Sequence, residues 1–141
     1  MSALQTADAP RAEAAAREGT WKVWQVVTTV LMLAIFSQAI TAGLLLRGDG
    51  WAETFHRTAA GVLVATTFVA GIVALATLRD ERRGRRMGAL LVVLAIGLVV
   101  QYALGAAAVD GKDVLWIHVP LGVGLIGLMD KVQLLATGKL Q

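Results

Sequence analysis

Four long apolar segments constrain the fold of this chain more than any other feature. They cover about residues 22–46, 53–78, 87–109 and 114–135. About 20 apolar residues in a helix span the hydrocarbon core of a bilayer, so each segment is long enough to cross it. The sequence therefore predicts an all-α protein, a four-transmembrane-helix bundle that forms one domain over residues 21–137 within the lipid bilayer.

The composition supports a membrane protein and excludes several kinds of site. Hydrophobic residues make up 57% of the 141-residue chain and charged residues only 16%, whereas about a quarter of the residues in a soluble domain are charged. The chain has no cysteine, which excludes disulfides, thiolate metal sites, iron–sulfur clusters and thioether-bound haem. The polar, alanine-rich residues 1–20 are predicted to form a flexible cytoplasmic tail.

Positive charge is concentrated in the connection between the second and third apolar segments. Five arginines lie there: Arg79, Arg82, Arg83, Arg85 and Arg86. Such a cluster can bind nucleic acid or lipid, but beside membrane segments it is foremost a signal of topology. The positive-inside rule predicts that this connection and both termini are cytoplasmic. We therefore expect a multi-pass protein of the inner (cytoplasmic) membrane that binds no nucleic acid.

The sequence contains an internal repeat of a glutamine, a glycine, a turn and a histidine. Gln38 precedes His56 and Gln101 precedes His118, at separations that differ by one residue. This pattern predicts a bundle built from two repeated helical hairpins. A pseudo-two-fold axis along the membrane normal would place the two histidines opposite each other, at the start of the second and fourth helices and near the outer face.

These two histidines are the candidate axial ligands of a haem b iron. They are the only histidines in the chain, and an ionisable side chain inside a membrane helix is costly unless it has a function. Haem iron accepts an imidazole on each axial face. Arg57 can pair with a haem propionate, and Gln38 and Gln101 can bond to the propionates or to the second imidazole nitrogens.

Two other interpretations of His56 and His118 stay open. A single histidine at a membrane interface is often only an amphipathic anchor. Alternatively, the pair could hold a metal ion without a porphyrin. Glu53 would then be the third ligand, since residues i and i+3 lie on one face of a helix.

The segment Glu53-Thr54-Phe55-His56-Arg57 resembles the Glu-x-x-His-Arg motif of the haem A synthase family. The similarity covers about residues 38–129, including the segment that leads to His118. It implies haem-ligating histidines on the second and fourth helices, and a catalytic role for Glu53 in oxidising a methyl group of haem O. The chain corresponds to one four-helix half of the usual eight-helix members and lacks the cysteine pair of many of them. Small bacterial four-helix membrane proteins with the same histidine pattern are at least as similar.

Three functions are compatible with these patterns. The residues favour a haem b protein that transfers electrons or handles haem. The resemblance adds haem A synthase-like oxidation of haem O, for which a homo-oligomer could restore the eight-helix arrangement. The small size and the glycine-rich helix faces are also compatible with a cofactor-free accessory subunit of a respiratory or other membrane complex.

Overall fold

The computed structural model describes residues 3–140, with side chains from Ala9 onward, and consists of four helices. Their bounds are α1 Ala3–Leu46, α2 Gly50–Thr77, α3 Arg82–Val109 and α4 Leu115–Ala136. All four are long and apolar enough to cross a membrane. The predicted all-α four-helix bundle is therefore confirmed, and the chain has the architecture of a multi-pass membrane protein.

The helices form a ring in which consecutive helices are neighbours. Backbone contacts join α1 to α2, α2 to α3 and α3 to α4, and contacts between α1 and α4 close the ring. Among the described residues, no Cα atom of α2 lies within 8 Å of one in α4. Helices α2 and α4 thus lie diagonally opposite each other, which is the arrangement that two repeated hairpins require.

Short turns connect the helices and fix their antiparallel order. Gly48 follows the end of α1 and has a φ of 94°, and Gly111 follows the end of α3 and has a φ of 80°. Glycine adopts this left-handed conformation without a steric penalty, which is why it is common just after a helix. Both turns therefore lie at the same end of the bundle, beside the N-termini of α2 and α4.

Three helices begin earlier than the sequence predicts: α2 by three residues, at Gly50, and α1 and α3 by more. Residues 1–20 are predicted as a flexible tail, but the chain is helical from Ala3, and residues 1–2 lie outside the described part. Alanine has the highest helix propensity, and this segment is rich in it. Helix α3 likewise begins at Arg82 rather than Met87, because arginine is also a good helix former. Hydropathy alone marks only the apolar part of each helix.

The bundle has two unlike ends. We call the end that contains the α2–α3 connection, residues 78–81, the arginine end. The opposite end, with the turns at 47–49 and 110–114, is the histidine end. The packed core lies in the half nearer the arginine end, where the largest fully buried apolar side chains are Met87, Leu91, Leu94, Met129, Val132 and Leu135.

The arginine end is held together by polar side chains of α1, of the α2–α3 connection and of α3, together with backbone carbonyls of α4. The Trp21 indole N–H donates to the Glu81 carboxylate at 3.1 Å. The guanidinium of Arg83 stacks on the Trp21 ring, 3.6 Å from its centroid. The same guanidinium donates to the carbonyls of Leu135 and Ala136, which end α4. Arg83 therefore caps α4 while it contacts α1.

Candidate cofactor site at the histidine end

The half of the bundle nearer the histidine end has almost no packed core. Within residues 36–62 and 99–124, all of which are described, only Thr41 and Ala52 are buried. A protein interior is normally close-packed with few voids. The polar residues that the sequence repeat singles out, Gln38, His56, Gln101 and His118, lie in this half and are partly buried.

His56 lies on α2 with its ring against the C-terminal part of α1. Its Nδ1 is 2.9 Å from the Thr41 hydroxyl oxygen. The backbone carbonyl of Gln38 also lies beside this imidazole. The first hairpin of the repeat therefore holds its histidine through the helix that precedes it.

His118 lies on α4 with its ring against the C-terminal part of α3. A Cβ added at Gly105 would be 3.3 Å from the ring atom Cε1, so this glycine gives the imidazole its space. The carbonyl of Gln101 lies beside His118, as that of Gln38 lies beside His56. However, the Nδ1 of His118 is buried and has no hydrogen-bond partner.

The two histidines lie at the same end of the bundle, on the diagonal helices α2 and α4. Neighbouring helix axes are about 8–10 Å apart, so diagonal axes are separated by about 11–14 Å. The structure thus gives the two histidines the diagonal placement, whereas a shared ligand between them stays a prediction.

The two predicted glutamines also lie at this site. The Gln101 amide donates to the His118 carbonyl at 2.8 Å, and the missing side chain of Gly122 makes room for it, since a Cβ there would be 3.0 Å from the amide nitrogen. The oxygen atoms of both amides, Gln38 Oε1 and Gln101 Oε1, are buried without a partner. Buried polar atoms are nearly always hydrogen-bonded, so these two atoms and His118 Nδ1 mark a place suited to a polar ligand.

The two charged residues of the motif lie on the exposed side of α2. Glu53 and Arg57 are exposed, and the Arg57 Nε is 3.5 Å from the Tyr102 hydroxyl of α3. The predicted pairing of Arg57 with a propionate and the catalytic role of Glu53 stay predictions. Among the residues that the structure describes, no group of three or more histidine, cysteine or acidic side chains could hold a bare metal ion.

Sequence reasoning missed two residues that hold the histidines. Neither Thr41 nor Gly105 is among the predicted site residues, although Thr41 lies 2.9 Å from His56 Nδ1 and Gly105 lies against the His118 ring. Their roles depend on which neighbouring helix approaches them, and a single sequence does not specify that approach. The only signal in the sequence for these contacts was that the second hairpin has a glycine, Gly105, near the level at which the first hairpin has a threonine, Thr41.

Comparisons of this chain with protein-family models, with curated proteins and with solved structures gave no match.

Proposed function

We propose that this chain is an integral membrane haem b protein in which His56 and His118 ligate the iron from opposite sides, between α2 and α4. One observation carries the proposal. The only two histidines of the chain both lie on diagonal helices in the half of the bundle that has almost no packed core. A bound haem supplies one-electron redox chemistry at its iron, which fits electron transfer or haem handling.

The polar residues at the site fit a haem better than a bare ion. A haem needs only two ligands from the protein because the porphyrin supplies the other four. Each glutamine amide carries a donor and an acceptor. Gln38 and Gln101 can therefore donate to a propionate or accept from an imidazole N–H, and the second contact would satisfy the amide oxygens that are now buried without a partner.

The position in the membrane is part of the same proposal. The arginine end lies on the cytoplasmic side under the positive-inside rule. Both termini would then be cytoplasmic, and the haem would lie near the outer face of the inner membrane. Its partners would be the surrounding lipid and a membrane complex that donates or accepts electrons.

An absorption spectrum of the detergent-purified protein tests the proposal. Protein made with ample haem should show a Soret band and, after reduction with dithionite, the sharp α band of a six-coordinate b haem. His56→Ala and His118→Ala should each lose the six-coordinate band. Gln133→Ala is a matched control, because this glutamine also has a buried oxygen without a partner but contacts Thr29 on α1. A wild-type spectrum without haem bands would favour the accessory-subunit function.

Oxidation of haem O is not included in the proposal. That reaction would require Glu53 to act on the cofactor, and Glu53 is exposed in the first turn of α2 beside Arg57. The measurement that would change this conclusion is haem A formation in cells that make haem O, with loss of the product in Glu53→Gln.

A further inference from the structure

The hydroxyl of Thr41 faces more acceptors than it has protons. Its oxygen is 3.2 Å from the Ser37 carbonyl oxygen and 3.1 Å from that of Gln38, in addition to its 2.9 Å contact with the Nδ1 of His56. A threonine hydroxyl carries one proton and two acceptor lone pairs. Only one of these three contacts can therefore use the hydroxyl as the donor.

Four other helix threonines indicate where that proton goes, whereas the buried Thr67 hydroxyl has no partner. Thr28, Thr29, Thr66 and Thr77 each donate to a carbonyl one turn earlier in the same helix, at 2.7–2.8 Å. If Thr41 does the same, its lone pair accepts a hydrogen bond from an N–H at His56 Nδ1. The Gln38 carbonyl beside the same imidazole has no proton to give, which also favours an N–H on the ring there.

We propose that Thr41 is a positioning residue that fixes His56 in the Nδ1–H tautomer and makes it the stronger of two unequal ligands. The lone pair of His56 is then on Nε2, the nitrogen left for the iron. His118 also has a backbone carbonyl, that of Gln101, beside its ring. It has no side-chain partner like Thr41, because its Nδ1 is without a hydrogen bond and a glycine, Gly105, lies against its ring. If a haem were bound, His118 would therefore be the weaker of its two protein ligands. The unequal strength of the two ligands depends on the proposed haem site, whereas the tautomer of His56 does not depend on it.

The tautomer can be measured without haem. In apoprotein labelled with ¹⁵N-histidine, the two imidazoles give two separate sets of NMR signals. We expect His56 to be a single Nδ1–H tautomer above its titration range. Thr41→Val keeps the side-chain shape and removes the hydroxyl, so the Nδ1–H population should fall toward that of a free imidazole. Thr41→Ser should restore it.

Thr28→Val is the matched control on the same helix. Thr28 is as buried as Thr41, but its hydroxyl contacts only backbone carbonyls. Loss of the Thr28 hydroxyl should leave the NMR signals of His56 unchanged. An Nε2–H tautomer of His56 in the wild-type protein would overturn the proposal even if Thr41→Val did not fold, and so would an unchanged His56 spectrum in folded Thr41→Val.

Haem titration then separates the two proposals. Removing a hydrogen-bond partner of a ligand histidine typically costs about 10- to 100-fold in affinity, and we expect a loss of that size in Thr41→Val. His118→Ala should still bind haem, in a five-coordinate form, whereas His56→Ala should lose the haem. Equal haem loss in His56→Ala and His118→Ala would overturn the proposal that the two ligands are unequal. A wild-type protein that binds no haem would overturn the proposed function, but the measured tautomer of His56 would still stand.

Discussion

At the scale of single residues, Gly105 controls the space that His118 occupies. A Cβ at this position would lie 3.3 Å from the His118 ring, which is closer than an ordinary van der Waals contact. Gly105→Ala should therefore displace the ring slightly, and Gly105→Val should displace it from the ligand position. We expect haem affinity to fall from glycine to alanine to valine at position 105, as measured by titrating the apoprotein with haem.

The control for this series is the first hairpin's glycine. A Cβ at Gly43 would meet nothing within 4 Å, so Gly43→Ala and Gly43→Val should leave haem affinity unchanged. Equal losses at Gly43 and Gly105 would mean that the substitutions act through the helices and not through the His118 ring.

The same residues show what a sequence can and cannot predict about this site. Spacing alone placed Gln38, Gln101 and both histidines in one region, because a repeat relates their positions without any knowledge of packing. The hydrogen bond of Thr41 and the space beside Gly105 arise only when particular helix faces meet. Sequence could not predict them, since many rotations of α1 and α3 bury equally apolar faces.

At the scale of helices, two glycines let α2 and α3 approach closely. A Cβ at Gly71 would lie 3.0 Å from the backbone nitrogen of Val92, and one at Gly88 would lie 2.9 Å from that of Leu75. Backbone atoms cannot move aside as a flexible side chain does, so a methyl group here must separate the helices. Small residues at helix crossings are typical of membrane bundles for this reason.

Gly88→Ala should therefore destabilise the bundle. Overpacking typically costs about 1–3 kcal/mol, which outweighs the gain of about 1 kcal/mol in helix propensity. The measurement is thermal unfolding in detergent. Gly127→Ala, at a helical glycine with nothing within 4 Å, should be neutral or stabilising, and an equally large loss there would contradict the packing argument.

Arg83 provides a second test at the scale of helices. Replacing it with methionine keeps an unbranched stem but removes the cap of α4 and the stacking on Trp21. Hydrogen bonds from charged groups contribute about 1.5–3 kcal/mol, so we expect a clear fall in unfolding temperature. We expect faster hydrogen exchange at residues 132–138 as well. Arg82→Met, at the exposed neighbouring position, should change neither quantity.

The helix boundaries show the same limit of sequence reasoning. The apolar parts of the four helices agree with the hydropathy of the sequence, because lipid requires a minimum apolar length. Residues 3–20 and 82–86 continue α1 and α3 through polar sequence. Propensity rather than hydropathy determines these extensions, and it is a weak predictor when no packing is known.

At the scale of the whole molecule, the topology can be mapped because the chain has no cysteine. A single cysteine in place of Asp113, in the turn at the histidine end, should react with a membrane-impermeant thiol reagent added to intact cells. A cysteine in place of Asp80, at the arginine end, should react only after the membrane is opened. The reverse pattern would place the proposed haem near the cytoplasm.

The uneven packing of the bundle leads to the last prediction. The half nearer the arginine end has a buried core without any ligand, whereas the half nearer the histidine end has only Thr41 and Ala52 buried. Local opening needs little free energy where few apolar contacts are broken. In the apoprotein, amides at the histidine end should therefore exchange hydrogen faster than those of residues 87–98.

Haem should remove most of this difference. A ligand that binds only the native state stabilises it, by about 2.7 kcal/mol at 100 times its dissociation constant. Because the ligand would fill the unpacked half, added protection should be concentrated in residues 38–60 and 101–122. Hydrogen exchange followed by mass spectrometry measures both halves in one sample. The His56→Ala variant should gain no such protection, and uniform protection of the whole bundle would mean that the ligand binds elsewhere.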